Sequence, residues 1–428
     1  MACENNQPSL RVVIIGGSIT GLTLAHCLDK AGIDYVLLEK HQDILASLGA
    51  SVALQPPGCR ILDQLGVFDR LKQCRHDLDK YQLALPGDFK FDITAPGFYT
   101  AGYLLGIPLC LSNLTNTGHW SRMGYPVTAI TRRNLLHALY TSLEDLSKVK
   151  TGTRVIKIDP SSSLDPHGPL KVTTEFGEQY TGDVVVGADG THGVVRDAMW
   201  RTAETSTRGP NPGLEQDKRS MQVDYYAIVG MTGSAEEVAQ ALPPGPLYLR
   251  SHPHCLFMVI PYPDTTITWF AIIKTDRTYI HPDVPSWSQE DVAAKLEQLG
   301  DYTIRPQVTF RDLWQRTSSI TSTACHEGLL QTWSAGRMTC IGDAAFKCIV
   351  RVLCAAAEPT LRDLHVLPPG FPVAVARNFG WLAYAPLHQP PHRAPLVLPQ
   401  PTLHGDRRDA GLPAAPAARP KCCGGTGT

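Results

Sequence analysis

The stretch Leu10–Glu39, LRVVIIGGSITGLTLAHCLDKAGIDYVLLE, decides the fold. Its first six residues, Leu10 to Ile15, form an apolar run rich in branched side chains, the composition of a strand buried on both faces. Gly16-Gly17-Ser18-Ile19-Thr20-Gly21 follows at once. From Gly21 on, Leu22, Ala25, Cys27 and Leu28 give a helix an apolar face, and Gly32 stands where a left-handed C-terminal cap belongs. A second apolar strand, Tyr35 to Leu38, ends in Glu39, 23 positions after Gly16.

Strand, glycine turn, helix, strand and acid in that order make a dinucleotide-binding βαβ unit. The tight turn brings backbone N–H groups and the positive helix end against a pyrophosphate, while the acid takes ribose hydroxyls. Gly16, Gly17 and Gly21 are the candidate phosphate-side residues and Glu39 the candidate ribose ligand. Ser18 stands where the pattern has its middle glycine, and its Cβ narrows the approach to the phosphates. A turn that merely packs helix on strand is the alternative for these residues.

Composition narrows the classes. The 428 residues carry 39 Lys plus Arg against 40 Asp plus Glu, so no bulk charge recruits nucleic acid. Length alone predicts two or three domains with ample core. The twelve Cys show no paired CxxC and His spacing, which reads as reduced thiols, no zinc and no other metal site. His252 and His254, two apart with no carboxylate motif nearby, read as loop or core histidines. No apolar run approaches the roughly 18 residues of a membrane span, and no secretory leader is evident. The expected location is intracellular, cytoplasmic or peripheral to a membrane, with oligomeric state undetermined.

Two later segments repeat the theme of an acid at a strand end. In GDVVVGADGTHGVVR (Gly182 to Arg196), the apolar run Asp183 to Val186 leads to Asp189 and Gly190; in WSAGRMTCIGD, Met338 to Ile341 delivers Asp343. Glu39, Asp189 and Asp343 are spread over the whole folded length, a pattern suited to one extended ligand such as a flavin dinucleotide. Between them, Gln222 to Val229, Cys255 to Pro261 and Thr266 to Ile273 read as sheet strands. Ser288 to Leu299 reads as a capped helix ending at Gly300.

With GGSITGLTLAHCL, YVLLEK, LGASVALQPPGCRILDQLG, GADGTHGVVR and WSAGRMTCIGD in order, the chain resembles the single-component FAD-dependent monooxygenases of the para-hydroxybenzoate hydroxylase type. The likeness covers about residues 10 to 347 and is nearest to the fungal epoxidases of indole-diterpene and meroterpenoid biosynthesis. It implies an α/β fold: a Rossmann-like FAD/NAD(P)-binding domain with an interleaved α+β substrate domain. The implied cofactors are bound FAD and transient NADPH; the implied partners are O2 and a lipophilic, prenylated substrate. That family carries Ser at the position of Ser18. By the same resemblance Glu39 binds the adenosine ribose, Ala53 lies beside the cofactor, and Arg132 contacts the flavin from a helix whose buried face is Leu135, Leu136 and Leu139. Asp189, with Gly190, serves FAD and NADPH pyrophosphates, Asp343 holds a ribityl hydroxyl, and Tyr225 donates near the flavin ring or is a core tyrosine.

The expected organisation is an FAD-binding domain over 8–200 with an insertion near 93–121, a substrate sheet over 215–325, a return to the FAD domain over 326–350, and a disordered Pro-rich tail over 356–428. The segment Ile93 to Ser121 has no Asp, Glu, Lys or Arg and neither strand nor helix periodicity. After Asp343 the family continues to a Gly-Gln-Gly segment facing the flavin edge, whereas here no glycine occurs until Gly370. Ala356 falls at the family's cofactor-contacting spacing without flanking glycines. The C-terminal part is therefore truncated or altered, which leaves two alternatives to an active epoxidase: an impaired remnant retaining partial dinucleotide binding, and a flavin or nicotinamide dehydrogenase.

Overall fold

Branched residues alternate along Arg11–Ile15 (β1), so Val12 and Ile14 bury on one face and Val13 and Ile15 on the other, all at 5% exposure or less. That two-sided burial makes β1 a central strand. In this computed structural model the sheet around it runs Ser334–Ala335, Met338–Cys340, Val184–Gly187, β1, Asp34–Leu38 (β2), Val149–Lys150. All pairings are parallel except the edge strand Ser334–Ala335. The structure describes residues 10–46, 50–85, 90–94, 124–159, 168–206, 212–233 and 236–347.

Between β1 and β2 runs the helix Ile19–Ala31 (α1), which closes on Gly32 in the left-handed region (φ 66°). It begins two residues before the expected Gly21, because Ser18 already takes the N-cap position. Leu22, Ala25 and Leu28 are buried, but Cys27 is exposed; at 100° per residue it falls off their stripe. Helix Arg132–Thr141 packs beside α1 through Leu135, Leu136 and Leu139, and His26 Nε2 meets the Leu139 carbonyl at 2.8 Å. Each such side chain contributes about 1.5–3 kcal/mol by leaving water. The opposite face of the sheet is covered by Val195, Ala198 and Met199 of helix Val194–Ser206.

A second, eight-stranded sheet has the order Phe346–Lys347, Thr317–Leu329, Gln222–Thr232, Ile267–Ile280, Cys255–Pro261, Pro246–His252, Lys80–Ala84, Lys90–Thr94. It draws two strands from the first part of the chain and the rest from beyond residue 221. Lys80–Ala84 joins Pro246–His252 in parallel and the other pairings are antiparallel. The strand expected over Thr266 to Ile273 continues to Ile280. One face packs on the small sheet Ser51–Leu54, Val127–Thr131, Arg75–Leu78, and the other on helix Gln289–Leu299, whose Ser288–Asp291 capping box confirms the expected start. Gly300 is right-handed (φ −52°), so that helix ends without a left-handed cap. Of the expected insertion near 93–121, Ile93 and Thr94 belong to the sheet; from residue 95 it lies outside the described residues, as do Ala356 and the tail 356–428.

Candidate dinucleotide-binding site

Strand register assembles the site. Ile15 lies opposite both Leu38 and Gly187, and Gly187 lies opposite Cys340. Parallel strands end at a common edge, so the residues that follow emerge side by side: Gly16, Glu39, Ala188-Asp189 and Gly342-Asp343. All of these but Gly342 line a groove of about 410 Å³, completed by Gly17 to Thr20, by Arg132 and Leu136, and by Lys40, His41, Thr153, Arg154 and His192. That volume is in the usual range for small-molecule sites, about 300–1,000 Å³.

Two of the turn's glycines are obligatory. A Cβ on Gly16, whose φ is +107°, would come within 2.4 Å of the Ala188 carbonyl oxygen, and one on Gly21 within 1.9 Å of the Gly16 carbonyl oxygen. Ser18 makes no side-chain cap on α1; its Oγ instead accepts a 2.6 Å hydrogen bond from the Arg132 guanidinium. The first turn of α1 also holds no acidic residue. Its N–H groups and positive pole are therefore left for an anion in the groove.

Glu39 is 8% exposed and accepts from the Gly17 N–H (2.6 Å) and the His41 N–H (2.9 Å), one on each oxygen. A carboxylate offers about four acceptor sites, so both oxygens retain capacity for a hydroxyl. Asp189 is half-buried as a residue, but its Oδ1 is sealed from solvent and has no hydrogen-bond partner, while Oδ2 accepts from the Val195 N–H at 3.1 Å. Removal from water pushes its pKa up to about 6 against the opposing pull of that N–H and of Arg196. Asp343 Oδ2 lies 2.8 Å from Lys347 Nζ. Burial lowers the pKa of Arg132, opposed by Asp343 and Glu39, and a guanidinium remains charged regardless. A positive helix end and an arginine flanked by carboxylates suit a ligand with a central diphosphate and hydroxyls on either side, as in a dinucleotide.

The structure thus brings Gly16, Gly17, Glu39, Arg132, Asp189, Gly190 and Asp343 to one groove, with Gly21 packed beneath the turn. Ala53 sits on strand Ser51–Leu54 opposite Ala129, outside the groove lining. Tyr225 is 8% exposed within the apolar layer between the large and small sheets, also outside it. Sequence reading did not foresee the Ser18–Arg132 bond or the work of Arg196. That guanidinium, 1% exposed, donates to the Ala344 carbonyl (3.2 Å) and to the Thr191 carbonyl, tying the Asp189 turn to the Asp343 turn. Its signal was its place at the end of GADGTHGVVR. His252 Nε2 meets the Thr303 carbonyl at 3.1 Å and its ring stacks on Tyr302, while His254 turns the hairpin at φ 60°.

Fold and groove together define a nucleotide-binding α/β protein whose Rossmann-like domain is interleaved with a large sheet domain. The chain belongs to the family described as "FAD binding domain", which matches residues 9–350. It is 36% identical over 349 residues to the FAD-dependent monooxygenase ctvC of Aspergillus terreus, covering 80% of this chain and 66% of that one. It is 34% identical over 362 residues to the FAD-dependent monooxygenase dpchE of Colletotrichum higginsianum, covering 85% and 71%. The chain thus spans about two thirds of the length of these relatives. Among solved structures it resembles 2,6-dihydroxypyridine-3-hydroxylase from Arthrobacter nicotinovorans, with TM-score 0.56 and 17% identity over 81% of this chain and 80% of that one.

Proposed function

We propose that this chain is the FAD-holding part of an FAD-dependent monooxygenase that uses NADPH and O2 to epoxidise a lipophilic, prenylated terpenoid-type intermediate of secondary metabolism. The observation that carries the reading is the convergence of Glu39, the uncapped end of α1, Arg132 and Asp189 on one groove, in a chain about a third identical to proteins named FAD-dependent monooxygenases. Transfer of two electrons from NADPH to dioxygen, with one oxygen atom passed to substrate, is the chemistry that bound FAD supplies.

The protein's part is binding, orientation and electrostatics. Glu39 would hold the adenosine ribose; Gly16, Gly17 and Gly21 would let the first N–H groups of α1 approach the pyrophosphate. Arg132 would neutralise negative charge on that diphosphate or on the reduced ring. Asp189 would accept from a further donor of the cofactor, the Gly190 N–H would face the FAD or NADPH diphosphate, and Asp343 would accept from a ribityl hydroxyl. Ala53 and Ala356 keep the cofactor-side roles, and Tyr225 the ring-side role, that the resemblance implies. The FAD domain would comprise 8–200 and 326–350, and the substrate sheet 215–325.

A second reading, an impaired remnant binding only the ADP half, is favoured by one observation: after Gly342 no glycine follows until Gly370, so the flavin-edge backbone donors of the family have no counterpart there. Purification of the full chain with FAD separates the two. Yellow protein with oxygen-dependent NADPH oxidation supports the monooxygenase. ADP binding without flavin retention supports the remnant, turnover without oxygen indicates a dehydrogenase, and no heat on mixing with either FAD or ADP refutes dinucleotide binding.

A further inference from the structure

Three histidines meet where the two large sheets adjoin. His192 ends the turn Gly190–His192 just after Asp189; His281 follows the strand Ile267–Ile280; His326 lies on Thr317–Leu329 opposite Val223. One ring nitrogen of each lies within 4.8 Å of the others. The ring centroids are 4.9, 5.2 and 5.7 Å apart and the ring planes are inclined by 50°, 89° and 69°, so the imidazoles converge rather than stack. His281 Nδ1 and His326 Nε2 are buried and have no hydrogen-bond partner. An unsatisfied buried nitrogen is uncommon, and two in one cluster call for a ligand.

We propose that His192, His281 and His326 form a binding site for a divalent transition metal of the borderline class, such as Zn²⁺. Three imidazoles without a carboxylate suit zinc, copper or nickel and not the hard, oxygen-seeking Ca²⁺ or Mg²⁺. A tetrahedral zinc at about 2.0–2.1 Å from each nitrogen holds its ligand atoms about 3.3 Å apart. Starting from the observed spacing, each ring needs to move by less than about 1 Å. His326 is 5% exposed and His192 is exposed, so the fourth position opens on the His192 side, where water can complete the set. Of the cations near the cluster, Lys347 is paired with Asp343 and Arg196 with two carbonyls, while Lys40 also acts on His192. A metal there would fasten the turn that bears Asp189 to the large sheet. The site departs from the sequence reading of a metal-free chain and does not depend on the flavin assignment.

The test is titration of chelator-stripped full chain with ZnSO4 against a chromophoric competitor, followed by Co²⁺ substitution and visible spectroscopy. The expected result is one Zn²⁺ per chain and the absorption of a tetrahedral Co²⁺ site, with affinity lowered at least tenfold in H192A and in H281A and unchanged in the control H252A. His192 is exposed, so H192A keeps the test decisive even where H281A fails to fold. Zn²⁺ affinity equal in wild type and H192A, or no uptake by wild type, overturns the proposal.

Discussion

Substitution of Asp189 by Asn isolates the cost of an acid held out of water. In the fold its pKa is pushed up to about 6 from the ordinary 3.8, desolvation being the largest cause. A raised folded value means that the folded state binds the proton more tightly than the unfolded chain. The stabilisation is therefore full below pH 3.8 and is lost as pH rises through about 6. At about 1.4 kcal/mol per pH unit, that interval corresponds to about 3 kcal/mol, or about 2 once water around the half-buried residue is allowed for. Urea unfolding of flavin-free protein, wild type and D189N, at pH 4.5 and 7.5 reads it directly. The variant's stability relative to wild type should rise by about 1 kcal/mol between the lower and the higher pH, because only wild type carries the titration and part of it is already complete at the lower pH. Subtracting the two proteins cancels every other carboxylate. A difference that does not change with pH would refute the claim that Asp189 is the strained acid.

Gly21→Ala places a methyl 1.9 Å from the Gly16 carbonyl oxygen; calorimetry should show a stability loss of about 3 kcal/mol together with loss of FAD binding. Arg132→Ala should weaken FAD at least tenfold, about 1.4 kcal/mol, in a fluorescence titration; Arg132→Lys should recover part of it, since a lysine keeps the charge but not the fork. Equal affinity in R132A and wild type would remove Arg132 from the site. Arg196→Met leaves the Ala344 and Thr191 carbonyls without their donor, and chemical unfolding should register a loss of about 2–3 kcal/mol.

Much of the nucleotide half was readable one residue at a time. β1 and β2 are runs of branched residues, α1 has its stripe and its glycine stop, and each candidate acid lies one to three residues past the end of a strand. The structure departs from that reading where α1 starts at Ile19, Cys27 faces solvent, Gly300 is right-handed and one substrate strand reaches Ile280. Helix phase and strand length near an end depend on neighbours that a local window does not contain.

The sequence by itself determined the βαβ unit and the types of residue able to grip a diphosphate and a ribose, because glycine conformation, hydrophobic period and acid position are local properties of the chain. Tertiary structure alone decided that Glu39, Asp189 and Asp343 share a groove, that Arg132 reaches Ser18, that Lys80–Ala84 joins a sheet built mainly from later residues, and that His192, His281 and His326 meet. The physical reason is strand register: parallel pairing of Ile15 with Leu38 and Gly187, and of Gly187 with Cys340, brings distant strand ends to one edge, and periodicity records which side chains are buried without recording which strand lies alongside.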